Sequence, residues 1–498
     1  MAFNTSTKRI FHKNLLKTIE SKVSGKVTIE EEKIIDKILD GYGLICITDQ
    51  MASGEFIQFK GSVNFTAVFT QEDKSISSIK TILDFQEKTQ VGGIDSFVLE
   101  PEIINYHIVK DSETTLTISL TIKTAVYGTM VEELQILSGN EDNFFTQNET
   151  IKINSVSSCA QSYFNISEEL KPNVNMDKIV LSTVKTAINK VEANDNYATV
   201  DGSLYVNILY LDADNIRTMQ KTLDFVQEVS MLNLEKTHAL DVKLFEAGVN
   251  VSKSSDGDDN NIIIDVKLGV NAWGYKEENV DVITDLFSTS VNTVVSANGF
   301  NSDKRSGFFT DSDRQTITID MSNKKRMDEI IYIEDPKIIV DKVCVNKGKG
   351  EIVGSLEQRV IFKNYDSDEI LSEIISEMFE LSVNLQIDNE TNLQINPIVK
   401  ARVNSYKNKA GKDISQTIDF DVEYSILSEE QFAFVSKVEA KNVLQPKDYS
   451  IIIVNNDKYK SVYEMAKSLE VSPEVLLMQN PGIEDGSAEK IVVYLKNK

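Results

Sequence analysis

The chain has 498 residues, 41% of them hydrophobic and 26% charged, with a formal net charge of −25 at pH 7. That length exceeds what one core serves, and the composition lies in the globular range, so several folded modules are expected. The acidic balance excludes nucleic acid as a main partner, since phosphate binding needs a dense cationic face. No run of 18 apolar residues occurs, so no membrane span is predicted.

At the N-terminus, Lys8, Arg9, Lys13 and Lys17 interleave with Ile10, Phe11, Leu15, Leu16 and Ile19. This spacing predicts an amphipathic helix over residues 1–29, with no apolar core long enough for a signal peptide. A cytosolic origin is expected.

The rest of the chain up to about residue 440 is organised by a repeat. Gly202-Ser203-Leu204 has counterparts in Gly61-Ser62-Val63 and Gly354-Ser355-Leu356. Each is followed by an apolar-acidic cluster: Leu83-Asp84-Phe85, Leu223-Asp224-Phe225 and Glu377-Met378-Phe379. A period of about 140 to 150 residues is domain-sized, which sets three modules at 30–150, 151–290 and 328–440.

In the first module, Ser62 to Phe69 alternates as a half-buried strand, and Ile103–Val109 with Leu116–Ile122 predicts an antiparallel hairpin. In the second, the strand beginning at Gly202 is apolar on both faces and is expected to be central, after a lead-in strand at Ile179–Val191. A closing hairpin joins Val242–Val251 to Ile262–Val270. Its loop carries Asp256, Asp258 and Asp259 beside Gly257, but lacks the twelfth-position Glu of a calcium loop, so no metal site is assigned.

Residues 291–327 are polar and uneven, and predict a linker with a short strand at Thr316–Ile319 and basic clusters free to dock on acidic surface. In the third module, Ile370, Leu371, Ile374, Ile375 and Met378 recur at three and four, which predicts a helix over 368–379. Thr417–Tyr424 alternates as a strand with Asp419 and Asp421 on an exposed face. Cys46, Cys159 and Cys344 are too few and too far apart for a disulfide framework, and His12, His107 and His238 are equally scattered. No nucleophile or carboxylate has an activating neighbourhood in the sequence, so a non-enzymatic chain without cofactor is expected.

Residues 445–498 form a smaller unit. Tyr449–Val454 predicts a strand, Ser461 caps a first helix with Glu464 completing a capping box, and Ser472-Pro473 starts a second. Asn480-Pro481-Gly482 ends that helix, and Ile491–Leu495 returns as a strand.

On these residues the chain resembles two known families. Residues 30 to about 440 resemble SPOCS domains, the β-rich repeats of bacterial spore-coat-associated proteins. Residues 445–498 resemble a LysM domain through Tyr449, Ser461 to Ala466, Val471-Ser472 and Leu476 to Pro481. The resemblance implies a mainly β chain of three tandem β-sandwich-like SPOCS modules followed by a small α+β (βααβ) LysM domain. It also implies a binding rim at Tyr459, Lys460, Ser461, Val462, Asn480, Pro481, Gly482 and Ile483. Proteins with this domain order are spore coat assembly scaffolds, made in the mother cell and placed at the forespore surface, which dock through the LysM domain to the coat's basement-layer morphogenetic ATPase. Peptidoglycan glycan is the alternative ligand, and a phage-type tail or baseplate component the alternative class. Tyr459-Lys460 stands where the family has Gly-Asp, and a bulky ring and a cation there favour a protein partner over a sugar.

Overall fold

The computed structural model describes residues 3–29, 34–92, 96–139, 143–172, 174, 176–213, 215–254, 261–321, 324–346, 348–367, 369–385, 393–409, 413–444, 451–483 and 490–494. The chain is mainly β. Three units of six or seven strands follow one another, and each is a sandwich of two sheets.

The first unit runs β1 (Asn4–Thr28), β2 (Ile35–Ser53), β3 (Phe56–Gln71), β4 (Ile76–Gln90), β5 (Phe97–Lys110) and β6 (Thr115–Ser138). Its sheets have the orders β2-β3-β4 and β1-β6-β5. The second repeats this with β7 (Phe144–Leu170), β8 (Lys178–Asn194), β9 (Tyr197–Asp212), β10 (Asn215–Ser230), β11 (Ala239–Lys253) and β12 (Ile262–Ser288), paired as β8-β9-β10 and β7-β12-β11. The third has β13 (Val291–Asp320), β14 (Met327–Ile333), β15 (Lys337–Asn346), β16 (Lys349–Asn364), β17 (Ile370–Asn384), β18 (Leu393–Lys409) and β19 (Asp413–Val443). There β14 and β15 share one edge of β16, broken at Asp335-Pro336, since proline cannot donate to the ladder.

The glycine of each repeat sits in the middle strand of its first sheet. Gly61 pairs with Phe85, Gly202 with Phe225 and Gly354 with Phe379. The recurring apolar-acidic cluster is therefore the cross-strand partner of the glycine motif. In the second unit Ser203 Oγ also donates to Asp224 Oδ1 at 2.7 Å, fixing the register. The central position expected for the Gly202 strand holds: Leu204, Val206, Ile208 and Leu209 are all fully buried.

Three of the elements expected from the sequence are corrected. Residues 1–29 are not a helix: Asn4–Thr28 is a strand paired along its length with β6. Leu16 is bulged out of register between Leu15 and Lys17, so the inward parity switches from Ile10 to Ile19, Val23 and Val27. That slip imitates a three-and-four spacing. Residues 291–327 are not a linker, because β13 is a 30-residue strand and the equivalent of β1 and β7. Its basic residues do dock: Arg305 stacks on Tyr275 at 4.1 Å and reaches Asp241 at 3.5 Å. The segment 368–379 lies largely in strand β17 instead of a helix. Ile375 and Phe379 face the core while Ile374 and Met378 face outward, so apolar residues on both faces of a strand gave the helical spacing. Residue 368 lies outside the described residues, as do Asp256 to Asp259.

The second sheets carry long arms. β5 pairs with β6 only up to Gly128, while β1 follows β6 to Ser138. β11 leaves β12 at Tyr275 and β18 leaves β19 at Ser428, while β7 and β13 continue to Ser288 and Val443. The three resulting ribbons pack on one another through Ile10 and Leu134, Ile151 and Val280, and Phe300 and Phe434.

The units thus form a closed ring. Val68, Leu209 and Ile361, each seven residues beyond the glycine of its module, are 0% exposed and share one cluster. Burying each side chain at this centre contributes roughly 1.5–3 kcal/mol. Around it, Lys80 Nζ donates to Asn250 Oδ1 from unit one to two (3.3 Å), and Gln220 Nε2 to the Val403 carbonyl from two to three (3.0 Å). Arg359 closes the ring on Asp40 from unit three to one (2.8 Å). The acidic face expected to be exposed on β19 is instead buried in this assembly. Glu423 Oε1 accepts from the Ile188 amide and Lys400, each at 2.9 Å, while Asp419 accepts from Arg314 and Asp421 from Arg402.

Candidate functional site

After β19 comes a separate small unit: β20 (Ile451–Asn455), α1 (Val462–Leu469), α2 (Pro473–Gln479) and β21 (Lys490–Tyr494). β20 and β21 form an antiparallel pair, Ile451 opposite Tyr494 and Asn455 opposite Lys490. Tyr449 and Leu495 lie outside the described residues. Both helix starts are capped by the residues the sequence indicated. Ser461 Oγ accepts the Glu464 amide at 3.1 Å, and Glu464 Oε2 accepts the Lys460 amide at 2.9 Å. Ser472 Oγ accepts the Val475 amide at 3.4 Å ahead of Pro473. Each such cap satisfies an amide with no partner inside its helix and stabilises by about 1 kcal/mol.

The eight rim residues divide into two groups. Asn480, only 9% exposed, is turned inward. Its Nδ2 donates to the Leu476 and Val492 carbonyls (3.1 and 2.8 Å), and its Oδ1 accepts the Val492 amide (2.8 Å). One side-chain amide thereby ties the end of α2 to β21. Ile483 is buried, and Val462 packs against the same core of Met465, Ala466, Leu469, Leu476, Ile491 and Val493. Lys460, Ser461 and Pro481 are exposed, with Tyr459 and Gly482 half-buried beside them. The structure therefore keeps Tyr459, Lys460, Ser461, Pro481 and Gly482 as surface, and spends Val462, Asn480 and Ile483 on the fold.

This unit is seated on the tip of the second ribbon. Phe287 from β12 enters its core, with ring contacts to Tyr463 (5.4 Å, edge-on) and Phe145 of β7 (5.4 Å). Tyr463 Oη donates to the Phe145 carbonyl at 3.5 Å, and Lys467 pairs with Asp285. Burial, with Asp285 adding its charge, pushes the Tyr463 phenol well above its ordinary value, so it stays neutral. Such an aromatic pair contributes about 0.5–1.5 kcal/mol beyond its buried area. One face of α1 is thus committed to the anchor. No local pattern marks this anchor, because Phe145 and Phe287 lie far from Tyr463 along the chain.

The second unit is where a family match falls. Residues 175–254, spanning the first sheet of that unit and strand β11, match the family described as SipL, SPOCS domain. The chain carries a SPOCS domain. Units one and three share its strand order and its glycine-phenylalanine register. No curated protein and no solved structure matches the chain.

Proposed function

We propose that this SPOCS-domain chain is a non-enzymatic scaffold of spore coat assembly at the forespore surface. Its C-terminal βααβ unit, read as a LysM domain, docks to a coat morphogenetic protein, the ATPase of the basement layer. The SPOCS match supports the coat-related role. The observation that carries the docking role is the seating of the C-terminal unit: α1 is fixed to the ribbon tip by Tyr463 and Lys467, while Lys460, Ser461 and Pro481 stay exposed. A rim held on a rigid support loses little freedom when a partner binds. A protein partner is favoured over a glycan because the amide of Asn480 is fully engaged with backbone at Leu476 and Val492.

The test is co-purification from sporulating cells, comparing the natural chain with Lys460→Glu/Pro481→Asp and with a chain lacking residues 445–498. The rim variant is expected to keep its melting temperature and lose the ATPase, and a fluorescent fusion of the truncated chain to lose the forespore surface. Recovery of the ATPase by the rim variant at natural levels would reject docking at this rim.

A further inference from the structure

The ring repeats one cleft three times. Each lies where the middle strand of a first sheet, three to five residues beyond its glycine, faces a β-bulge in the second sheet of the following unit. Asn64 to Thr66 face the bulge at Glu246–Gly248, Tyr205 to Asn207 that at Val403–Ser405, and Glu357 to Arg359 that at Ile103–Asn105.

In two of the clefts the chain's own charged and polar groups pair across the seam. In the second, Arg402 lies 3.6 Å over the ring of Tyr205 and pairs with Asp421, while Asn207 Nδ2 donates to Asp335 of unit three at 2.6 Å. In the third, Arg359 pairs with Asp40 of unit one. In both, the residue five beyond the glycine finds a carboxylate in the neighbouring unit. The first cleft departs from this at every corresponding position. Thr66 stands where Asn207 and Arg359 stand, Asn64 replaces Tyr205, and Phe245 replaces Arg402 with its ring turned onto Gly269 and Tyr163. The result is a cavity of about 920 Å³, against about 650 Å³ in the third cleft and about 240 Å³ in the second.

Charge and hydrogen bonding define what would fit. Lys80 and Lys267 line this cleft; among the described residues Lys80 Nζ donates to the side-chain carbonyl of Asn250 alone, and Lys267 lies over the Tyr163 ring. Asp265 is the one carboxylate lining it among the described residues, and it accepts from Ser167 at 2.6 Å. Two lysines thus face this cavity with no carboxylate partner among the described residues, which makes the cleft a cationic spot in a chain of net charge −25. The amides of Asn64 and Asn165 and the hydroxyls around them can serve peptide N–H and C=O groups.

We propose that the cleft between the first and second units binds an acidic segment of a protein partner in extended form, a Glu or Asp carboxylate of that segment taking the place on Lys80 that Asp40 takes on Arg359. This site is separate from the C-terminal rim and gives the scaffold a second point of attachment, so two weak contacts act as one stronger one.

The test is fluorescence anisotropy of a labelled hexaglutamate peptide with the full chain, beside hexaglutamine and free glutamate. Hexaglutamate is expected to bind despite the net repulsion between two anions, and hexaglutamine to bind at least about tenfold more weakly, since the charge-assisted contact is lost. Lys80→Gln should weaken hexaglutamate by about tenfold, and so should Asn64→Tyr, which fills the cleft as Tyr205 fills its counterpart, with unchanged melting temperatures in both. Equal affinity of Lys80→Gln and the natural chain, no binding of hexaglutamate, or competition by free glutamate as effective as by the peptide would each overturn the assignment.

Discussion

The ring of Phe225 rests directly over Gly202, its partner across the strand pair: a Cβ on Gly202 would stand 2.6 Å from Phe225 Cζ and 2.6 Å from the Ala187 carbonyl oxygen. The glycine is required by a close approach, not by a turn, and the aromatic ring covers the gap it leaves. The same holds at Gly354, where the Ile339 carbonyl is closer still. At Gly61 the nearest backbone atom, the Cys46 carbonyl, is 3.1 Å away. Rings can swing aside and backbone cannot. Alanine at Gly202 or Gly354 is therefore expected to cost about 1–3 kcal/mol, and at Gly61 less. Urea denaturation of the three variants checks the order, and a Gly61 variant as damaged as the Gly354 one would contradict it.

Glu334 makes stability depend on pH. Burial, with Asp40 nearby, pushes its carboxyl up to about 8, against the pull of Lys185 and Arg359. A carboxyl whose folded value is raised holds its proton more tightly in the folded chain than in the unfolded one. Its contribution is complete below the ordinary value near 4.5 and is lost as pH rises to about 8. Glu334→Gln is thus expected to gain on the natural chain by on the order of 4 kcal/mol between pH 5 and pH 8.5, at about 1.4 kcal/mol for each pH unit between the two values. Melting curves at pH 5 and 8.5 measure the difference, and a Gln variant equally displaced at both values would remove Glu334 as its source.

Arg359 and Asp40 hold the last seam of the ring. Asp40 also accepts the Tyr106 hydroxyl at 3.0 Å and the Gly41 amide at 2.7 Å, and burial still outweighs these partners and raises its carboxyl. Arg359→Leu strands that buried group and is expected to cost about 3 kcal/mol. Adding Asp40→Asn should recover part of the loss, because the group left behind is then neutral. A double variant less stable than Arg359→Leu alone would show that the pair is not the seam's main electrostatic element.

The parts of this fold legible in sequence are those whose partners lie close by. Gly202 and Phe225 belong to one hairpin, β9 to β10, so their recurrence at Gly61 and Gly354 shows up as a repeated motif. β1 and β13 escape because their partners β6 and β19 begin about a hundred residues further on, and pairing at that distance leaves no local periodicity. The bulge at Leu16 then disguises β1 as a helix. The ring itself is invisible for another reason: Val68, Leu209 and Ile361 look like any core residues of a middle strand, and only their shared position shows that three cores meet. In the C-terminal unit the caps Ser461 and Ser472 were readable because capping is local, whereas the inward turn of Asn480 depends on a backbone strand twelve residues away.

That turn gives the sharpest test of how the C-terminal unit is built. Asn480 supplies the only side-chain hydrogen bonds, among the described residues, that join Val492 to the end of α2. Replacing it by Ala leaves the Val492 N–H and C=O without these partners, at about 1–3 kcal/mol for a buried polar group left unsatisfied. A two-stranded sheet with two short helices has little core to offset such a loss. The core around β9 shares no residue with this unit, which meets the ring through Phe145 and Phe287 at the ribbon tip, so β9 should not respond. Hydrogen exchange on Asn480→Ala is expected to show faster exchange over residues 451–494 and unchanged protection at Leu204, Val206 and Ile208 of β9. If residues 451–494 kept natural protection, the two bonds between the Gln479 side chain and Tyr494 would be enough to hold α2 to β21, and Asn480 would not be the decisive tie.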